Sequence, residues 1–185
     1  MIAILIAMIA AIFGVAPAER QSLVMIVGDS ITAQHTEQIQ NEMQGCKPTG
    51  IRAVSGRSMS VSTSPWGYIP SGYETINDIE NTIDPSTWII ELGVNDVNGG
   101  HVKSLEDAHR IINQALSLID ETDTVYWLTT YSEFNETGTA LFNWALWTNK
   151  RIVVLDWAPL AAGRTVDGLH PNTDAVSDLA KLYCV

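Results

Sequence analysis

The sequence has 185 residues, enough for one domain whose own core holds it together without metals or many disulfides. Hydrophobic residues make up 46% of the chain, which argues against intrinsic disorder. The formal net charge is −11 and no run of Lys and Arg offsets it, so nucleic acids are not expected partners.

The N-terminus has the pattern of an export signal. An almost wholly apolar run over residues 2–15 is followed by Ala-Pro-Ala at 16–18, which resembles a signal-peptidase site. An uncleaved membrane anchor is the alternative, although the run is shorter than the roughly 20 residues of a full span. We expect residues 1–18 to be a signal peptide or anchor and residues 19–185 to form the domain. The protein is then secreted, periplasmic or held at the cell envelope, with a possible membrane tether.

Short apolar runs alternate with amphipathic or polar segments along the rest of the chain. The runs predict strands at 23–27, 51–54, 87–92, 124–129 and 151–155. The segments between and after them predict helices at 31–43, 73–81, 104–119, 139–150 and 172–182. This alternation indicates an α/β fold, a three-layer sandwich around a five-stranded, mainly parallel sheet.

Polar motifs follow the predicted strands. Ligands bind beyond the carboxyl ends of the strands in open parallel sheets, so these motifs are expected to meet at one edge. They are Gly28-Asp29-Ser30, Ser55-Gly56-Arg57-Ser58, Gly93-Val94-Asn95-Asp96 and, beyond the fifth strand, Asp167-Gly168-Leu169-His170.

The residue types in these motifs match the needs of acyl transfer. A hydroxyl nucleophile needs a base, and the base needs an orienting carboxylate; Ser30, His170 and Asp167 are the candidates for these roles. The backbone N–H groups of Ser30 and Gly56 and the side-chain amide of Asn95 are candidate donors to the developing oxyanion.

In order and spacing, the same motifs resemble the four sequence blocks of the SGNH/GDSL hydrolase superfamily. The resemblance covers nearly the whole chain after the N-terminal segment and implies a flavodoxin-like fold. It also implies catalytic roles for Ser30, Gly56, Asn95 and His170, with Asp167 in the same short loop as the histidine. The stretch 167–171 is further similar to SGNH domains of bacterial cell-envelope acyltransferases and esterases.

The function predicted from these residues is hydrolysis of carboxylic esters, acyl or O-acetyl, of a small molecule or glycan through an acyl-serine intermediate. This chemistry requires no cofactor. An O-acyltransferase acting on cell-envelope sugars is the nearest alternative, because only the acceptor differs. A non-catalytic glycan-binding domain with the same fold is a third reading, although binding alone needs no such set of residues.

Three other aspartates in or near the motifs are candidates for a role in the site. Asp29 and Asp96 are expected to bond backbone groups in their turns, since Asp favours such local bonds. Asp156 follows the fifth strand and competes with Asp167 as the partner of His170, but a strand-end role is favoured because Asp167 already supplies an orienting carboxylate.

The long polar loop at 55–73 is expected to lie on the surface. Its Arg57 is either a contact for a substrate oxygen or a solvated cation, and its Trp66 and Tyr68 either line a pocket or pack within the loop. Trp144 and Trp147, at helical spacing, are expected in the core.

The remaining histidines and one Asn-x-Thr motif give weaker indications of a functional site. His35, His101 and His109 lack the spacing of metal ligands, so no metal site is predicted. Asn135-Glu136-Thr137 fits a glycan acceptor, which matters only in a eukaryotic secretory host.

The two cysteines, Cys46 and Cys184, lie after the first and last predicted helices. In a flavodoxin-like order these helices cover the same face of the sheet, so a disulfide is reasonable in an oxidising compartment. Two unpaired buried thiols are the alternative.

Overall fold

A computed structural model describes residues 22–47, 49–62 and 67–185 of the chain. The expected export segment and Trp66 lie outside the described residues. Across these three ranges no helix has both the length and the apolar character that a bilayer crossing requires.

The sheet has five parallel strands in the order β2-β1-β3-β4-β5. All five predicted strands are confirmed to within two residues, and the sheet is wholly rather than mainly parallel. The strands are β1 (Val24–Gly28), β2 (Thr49–Ala53), β3 (Thr87–Glu91), β4 (Thr124–Leu128) and β5 (Ile152–Leu155).

Helices follow each strand in the described chain. They are α1 (Ser30–Ala33), α2 (Thr36–Glu42), α3 (Gly72–Thr82), α4 (Val94–Asn98), α5 (Leu105–Leu116), α6 (Glu136–Thr148), α7 (Ala158–Ala161) and α8 (Thr173–Tyr183). The single helix expected over 31–43 is instead the pair α1 and α2. At their junction the Thr36 hydroxyl bonds the carbonyls of Thr32 and Ala33, which offers those carbonyls an alternative to a continuing helix.

Both faces of the sheet are covered, which gives the expected three layers. Along β1, Met25 and Val27 pack into the cluster beneath α3, α5 and α6. The intervening Val24 and Ile26 pack into the opposite cluster, beneath α1, α2 and α8. Because side chains alternate along a strand, a run of consecutive apolar residues is what a doubly covered strand requires.

Helix α6 corrects one expectation. It turns Phe142, Ala145 and Leu146 inwards, whereas Trp144 and Trp147 are 61% and 55% exposed. The prediction that these tryptophans lie in the core is therefore wrong. Since α6 is apolar on nearly every side, helical spacing alone did not identify its buried face.

A disulfide joins Cys46, just beyond α2, to Cys184, just beyond α8. The two Cα atoms are 5.5 Å apart, and α2 and α8 pack against each other on one face of the sheet. The proposed pairing is confirmed, and the alternative of two free thiols is excluded for this structure.

Candidate active site

Ser30 lies where the central strand β1 turns into α1. Asp29 caps this helix, since its Oδ1 accepts a hydrogen bond of 2.9 Å from the N–H of Ile31. The expected turn-forming role of Asp29 is confirmed. Because α1 has only four residues, its macrodipole contributes little to the electrostatic environment of the Ser30 hydroxyl, which depends mainly on hydrogen bonds.

The structure brings Ser30, His170 and Asp167 together at the carboxyl edge of the sheet. The distance from Ser30 Oγ to His170 Nε2 is 2.8 Å. On the other side of the ring, His170 Nδ1 is 2.7 Å from Asp167 Oδ2. A hydroxyl, an imidazole and a carboxylate thus form one hydrogen-bonded chain, as the sequence predicted.

The loop at 162–172 holds the imidazole and the carboxylate. Asp167 Oδ1 accepts hydrogen bonds from the backbone N–H groups of Leu169 and His170, at 3.1 and 2.8 Å. The N–H of Glu133, which follows β4, donates to the carbonyl of Gly168 over 3.0 Å. These bonds close the loop on itself and tie it to the neighbouring strand end.

The charge on Asp167 sets the tautomer of His170. The backbone N–H of His170, and then its imidazole, lower the pKa of Asp167 from its usual value. An ionised carboxylate only accepts hydrogen bonds, so Nδ1 carries the ring hydrogen and Nε2 accepts from the Ser30 hydroxyl. The two side chains are 50% and 19% exposed for Asp167 and His170, so solvent can reach the pair.

Two backbone N–H groups, one following β1 and one following β2, have no hydrogen-bond acceptor within the described protein. Among the described residues, neither the N–H of Ser30 nor that of Gly56 has a protein acceptor. Gly56 has φ of +80°, a backbone conformation that residues with a Cβ rarely adopt. Both groups are available to a ligand oxygen.

The side-chain amide of Asn95 already makes two hydrogen bonds within the protein, which the sequence did not indicate. Its Nδ2 donates to Asp29 Oδ2 over 2.9 Å and to the carbonyl of Arg57 over 3.0 Å. The amide therefore links the residue before Ser30 to the residue after Gly56. To donate to an oxyanion it must give up one of these bonds, and its place in an oxyanion hole stays a prediction.

Arg57 differs from both of its expected roles. It is buried, and its guanidinium donates to the backbone carbonyls of Gly28, Arg52 and Pro70. Neither a solvated cation nor a substrate contact describes this arrangement. Arg57 instead joins the ends of β1 and β2 to the loop before α3.

Other expectations for polar residues near the site have definite outcomes. Asp96 accepts from the N–H groups of Met59 and Ser60 at 2.6 and 2.9 Å, which confirms it as a loop stabiliser. Asp156 accepts from the Thr129 hydroxyl at 3.1 Å and is a strand-end residue, as favoured. The exposed Tyr68 donates from its hydroxyl to Glu74, which ties the loop to α3.

Asn135 has a structural role that conflicts with glycan attachment. Its Nδ2 donates to the carbonyl of Val97 over 2.7 Å, and its Oδ1 accepts from Gly138 at the start of α6. The nitrogen that would carry a sugar is thus engaged within the fold. For metals, no group of three or more His, Cys, Asp or Glu side chains in the described ranges is arranged to hold an ion.

Glu91, at the end of β3, is a buried acid that the sequence reasoning missed. Its Oε2 accepts from the backbone N–H of Asp29 over 3.1 Å. Burial and the neighbouring Asp29 raise the pKa of Glu91 well above its usual range, and burial raises the pKa of Asp29 to about 7. An ionisable residue inside the apolar run 87–92 was the available signal, since buried acids are rare without a specific partner.

The sequence matches no protein-family model and no curated protein. The structure does match solved structures. The aryl esterase of M. smegmatis has a TM-score of 0.65 at 15% identity over 87% of this chain and 95% of that one. A family 3 carbohydrate esterase from Clostridium thermocellum gives 0.62 at 16% over 87% and 92%. The chain has the SGNH hydrolase fold.

An acetyltransferase domain shares this SGNH fold. The C-terminal catalytic domain of peptidoglycan O-acetyltransferase A from Streptococcus pneumoniae matches with a TM-score of 0.61 at 16% identity, over 87% of each chain. Hydrolases and a transferase are thus both represented among similar structures. At these identities the likeness concerns the fold, so the chemistry of this chain has to be argued from its own residues.

Proposed function

We propose that the protein is a serine esterase that hydrolyses acyl or O-acetyl esters of small molecules or glycans. The observation that carries the proposal is the continuous hydrogen-bonded chain from Ser30 through His170 to Asp167, with contacts of 2.8 and 2.7 Å. Hydroxyl nucleophiles are activated by such a neighbouring base whose second nitrogen is oriented by a carboxylate.

In the first step Ser30 Oγ attacks the ester carbonyl carbon, and its proton passes to His170 Nε2. The carbonyl oxygen becomes an anion, which the N–H groups of Ser30 and Gly56 stabilise. The Asn95 amide joins them when it replaces one of its two hydrogen bonds within the protein with a bond to this anion. Asp167 stabilises the imidazolium. The tetrahedral intermediate then collapses, the carbon–oxygen bond to the alcohol breaks, and His170 protonates the departing alcohol.

In the second step water attacks the acyl-serine carbonyl. His170, neutral again, takes a proton from the water, and the second tetrahedral intermediate releases the carboxylic acid as the proton returns to Ser30 Oγ. Each proton therefore moves through the same imidazole nitrogen, and neither a metal nor a cofactor takes part in these steps.

Nitrophenyl acetate hydrolysis together with fluorophosphonate labelling tests this proposal. Ser30→Ala should abolish labelling, and both Ser30→Ala and His170→Ala should lower kcat by at least about 10⁴-fold, because nucleophile and base act as a unit. Asn95→Ala should cost about 10²–10³-fold if it joins the oxyanion donors. Ser177→Ala, on α8 and bonded to Glu42, is the matched serine control and should keep full activity.

Two results would refute the esterase. One is a folded wild-type protein that neither labels nor turns over any of a series of nitrophenyl esters of increasing chain length. The other is Ser30→Ala with unchanged turnover. A protein that binds glycans but does not react with fluorophosphonate would favour the binding-module reading.

Acyl transfer is a second candidate because the S. pneumoniae O-acetyltransferase domain shares the fold. The same acyl-serine would then be intercepted by a sugar hydroxyl instead of water. Mass spectrometry of products formed with a cell-envelope sugar acceptor present distinguishes the two. Acetylated sugar in excess over free acetate would make transfer the principal activity.

We also propose that the protein acts outside the cytosol. The disulfide supports this, since such bonds persist in oxidising compartments, and the apolar run at 2–15 has the features of an export signal. Fractionation of cells that express the full chain tests the proposal. Recovery of all the protein in the cytosol, with reduced cysteines, would contradict it.

A further inference from the structure

A chain of buried polar groups connects the last helix to the turn that carries Ser30. The hydroxyl of Tyr183, in the final turn of α8, is 2.6 Å from Thr32 Oγ1 on α1. Thr32 Oγ1 donates in turn to Glu91 Oε2 over 3.0 Å. The same carboxyl oxygen accepts from the backbone N–H of Asp29 over 3.1 Å.

When Glu91 accepts from the Thr32 hydroxyl, the hydrogens in this chain run in one direction. A threonine hydroxyl has one hydrogen, and that of Thr32 points to Glu91. The hydrogen between the two hydroxyls therefore comes from Tyr183. Glu91 is the common acceptor at the end of the chain, and it receives both the relayed hydroxyl and the backbone donor next to Ser30.

Gly28 provides independent evidence that this space is reserved for the network. It pairs with Glu91 across the sheet. A Cβ added at Gly28 would lie 2.8 Å from Thr32 Oγ1, closer than real Cβ contacts allow, and 3.0 Å from Glu91 Oε2, closer than most of them. Gly28 is not among the residues with positive φ, so close packing rather than backbone conformation requires glycine here.

We propose that Glu91 is a positioning residue of the esterase, fixing the backbone immediately before Ser30 so that its hydroxyl is directed at His170. In the described structure Glu91 makes no hydrogen bond to Ser30 or His170, and it acts through the N–H of Asp29. This inference rests on the proposed function, because positioning has meaning only if Ser30 is the nucleophile.

A purely structural role makes a different prediction from a positioning role. Removing a buried acceptor leaves the Asp29 N–H without a partner and the Thr32 hydroxyl with only that of Tyr183, which lowers stability in either case. Only positioning also lowers kcat, because a small displacement of a reacting group strongly reduces its rate. Since Glu91 does not touch the ester, KM should change little.

The experiment compares Glu91→Gln with Glu91→Leu. Glutamine keeps an oxygen acceptor at nearly the same place, so it should retain kcat within about threefold, whereas leucine should lower kcat by about tenfold to a hundredfold with KM nearly unchanged. Asp123→Leu is the matched control. Asp123 is also a buried acid, accepts from Trp88 Nε1, and lies at the opposite edge of the sheet, so its loss should lower Tm without changing kcat.

Each outcome has a distinct meaning. An inactive wild-type protein refutes the proposed function itself. An active wild type with equal kcat in Glu91→Leu and Asp123→Leu refutes only the positioning role, as does a Gln variant no better than the Leu variant. If Glu91→Leu does not fold, Thr32→Val decides, because it removes one hydroxyl of the network at constant shape: a fall in kcat supports positioning, and unchanged kcat overturns it.

Discussion

Asp29 sits immediately before the serine and has no exposed surface, so it must pair its charge or carry a proton. Its two oxygens accept from Ile31 and Asn95, which favours the ionised form. Burial outweighs these bonds and raises the pKa of Asp29 from 3.8 to about 7, a shift to which the nearby Asp96 also contributes.

This shift makes stability depend on pH in a definite direction. Between the two values the folded protein binds more protons than the unfolded chain, so the contribution of Asp29 is complete below about pH 4 and is lost as pH rises through about 7. We expect the free energy of unfolding of the wild type to fall more between about pH 5 and about pH 8 than that of Asp29→Asn, which cannot ionise. Urea unfolding at the two pH values measures this, and parallel losses would contradict it.

At the level of single residues, the sequence predicted which side chains meet at the carboxyl edge of the sheet better than it predicted the contacts of each one. Ser30, His170 and Asp167 could be placed together because each follows a recognisable turn at the carboxyl edge of the sheet. The inward direction of Arg57 and the engaged amide of Asn95 depend on carbonyls and carboxylates from other loops, which no local pattern encodes.

Helix α6 shows how an element can be predicted correctly and oriented wrongly. Its sequence is apolar on nearly every side, so its existence was clear while its buried face was not. The strands were easier, because a fully buried strand needs apolar residues on both faces and no face has to be chosen. Short helices such as α4 and α7 carry too few residues for a periodic pattern.

The orientation of α6 has a measurable effect on stability. Trp144→Gln and Trp147→Gln should change the free energy of unfolding by no more than about 0.5 kcal/mol, because both side chains are largely exposed. Phe142→Ala should cost about 3–5 kcal/mol, because Phe142 is fully buried and packs edge-on against Trp127. Chemical denaturation gives all three values; a large loss in either Trp variant would mean that the other face of α6 is buried.

For the molecule as a whole, the disulfide closes a loop of 138 residues that includes four of the five strands, all but β1. A crosslink over so long a loop restricts the unfolded chain, and Cys46→Ser with Cys184→Ser should lower the free energy of unfolding by about 2–5 kcal/mol. Unfolding of wild type and the double variant, each with and without reductant, checks this. Reductant should lower the free energy of unfolding of the wild type only. Equal stability of the two proteins without reductant would show that the disulfide does not stabilise the fold.

The whole-molecule prediction from sequence succeeded because alternation of strands and helices permits few architectures, and right-handed crossovers reduce them further. The cysteine pairing followed once the first and last helices were assigned to one face. The sequence did not predict how the N-terminal segment is placed relative to the domain, and that segment lies outside the described residues.

Ser30 and the pair His170 and Asp167 are held by parts of the fold that differ in stability. Ser30 extends from a strand hydrogen-bonded on both sides, in the middle of the sheet. His170 and Asp167 belong to an irregular loop held by a single β-bridge and a few backbone bonds. Local opening has its lowest free energy where such contacts are few. Warming should accordingly separate His170 from Ser30 while the sheet is still intact, so the proposed esterase activity should end at a lower temperature than the fold does.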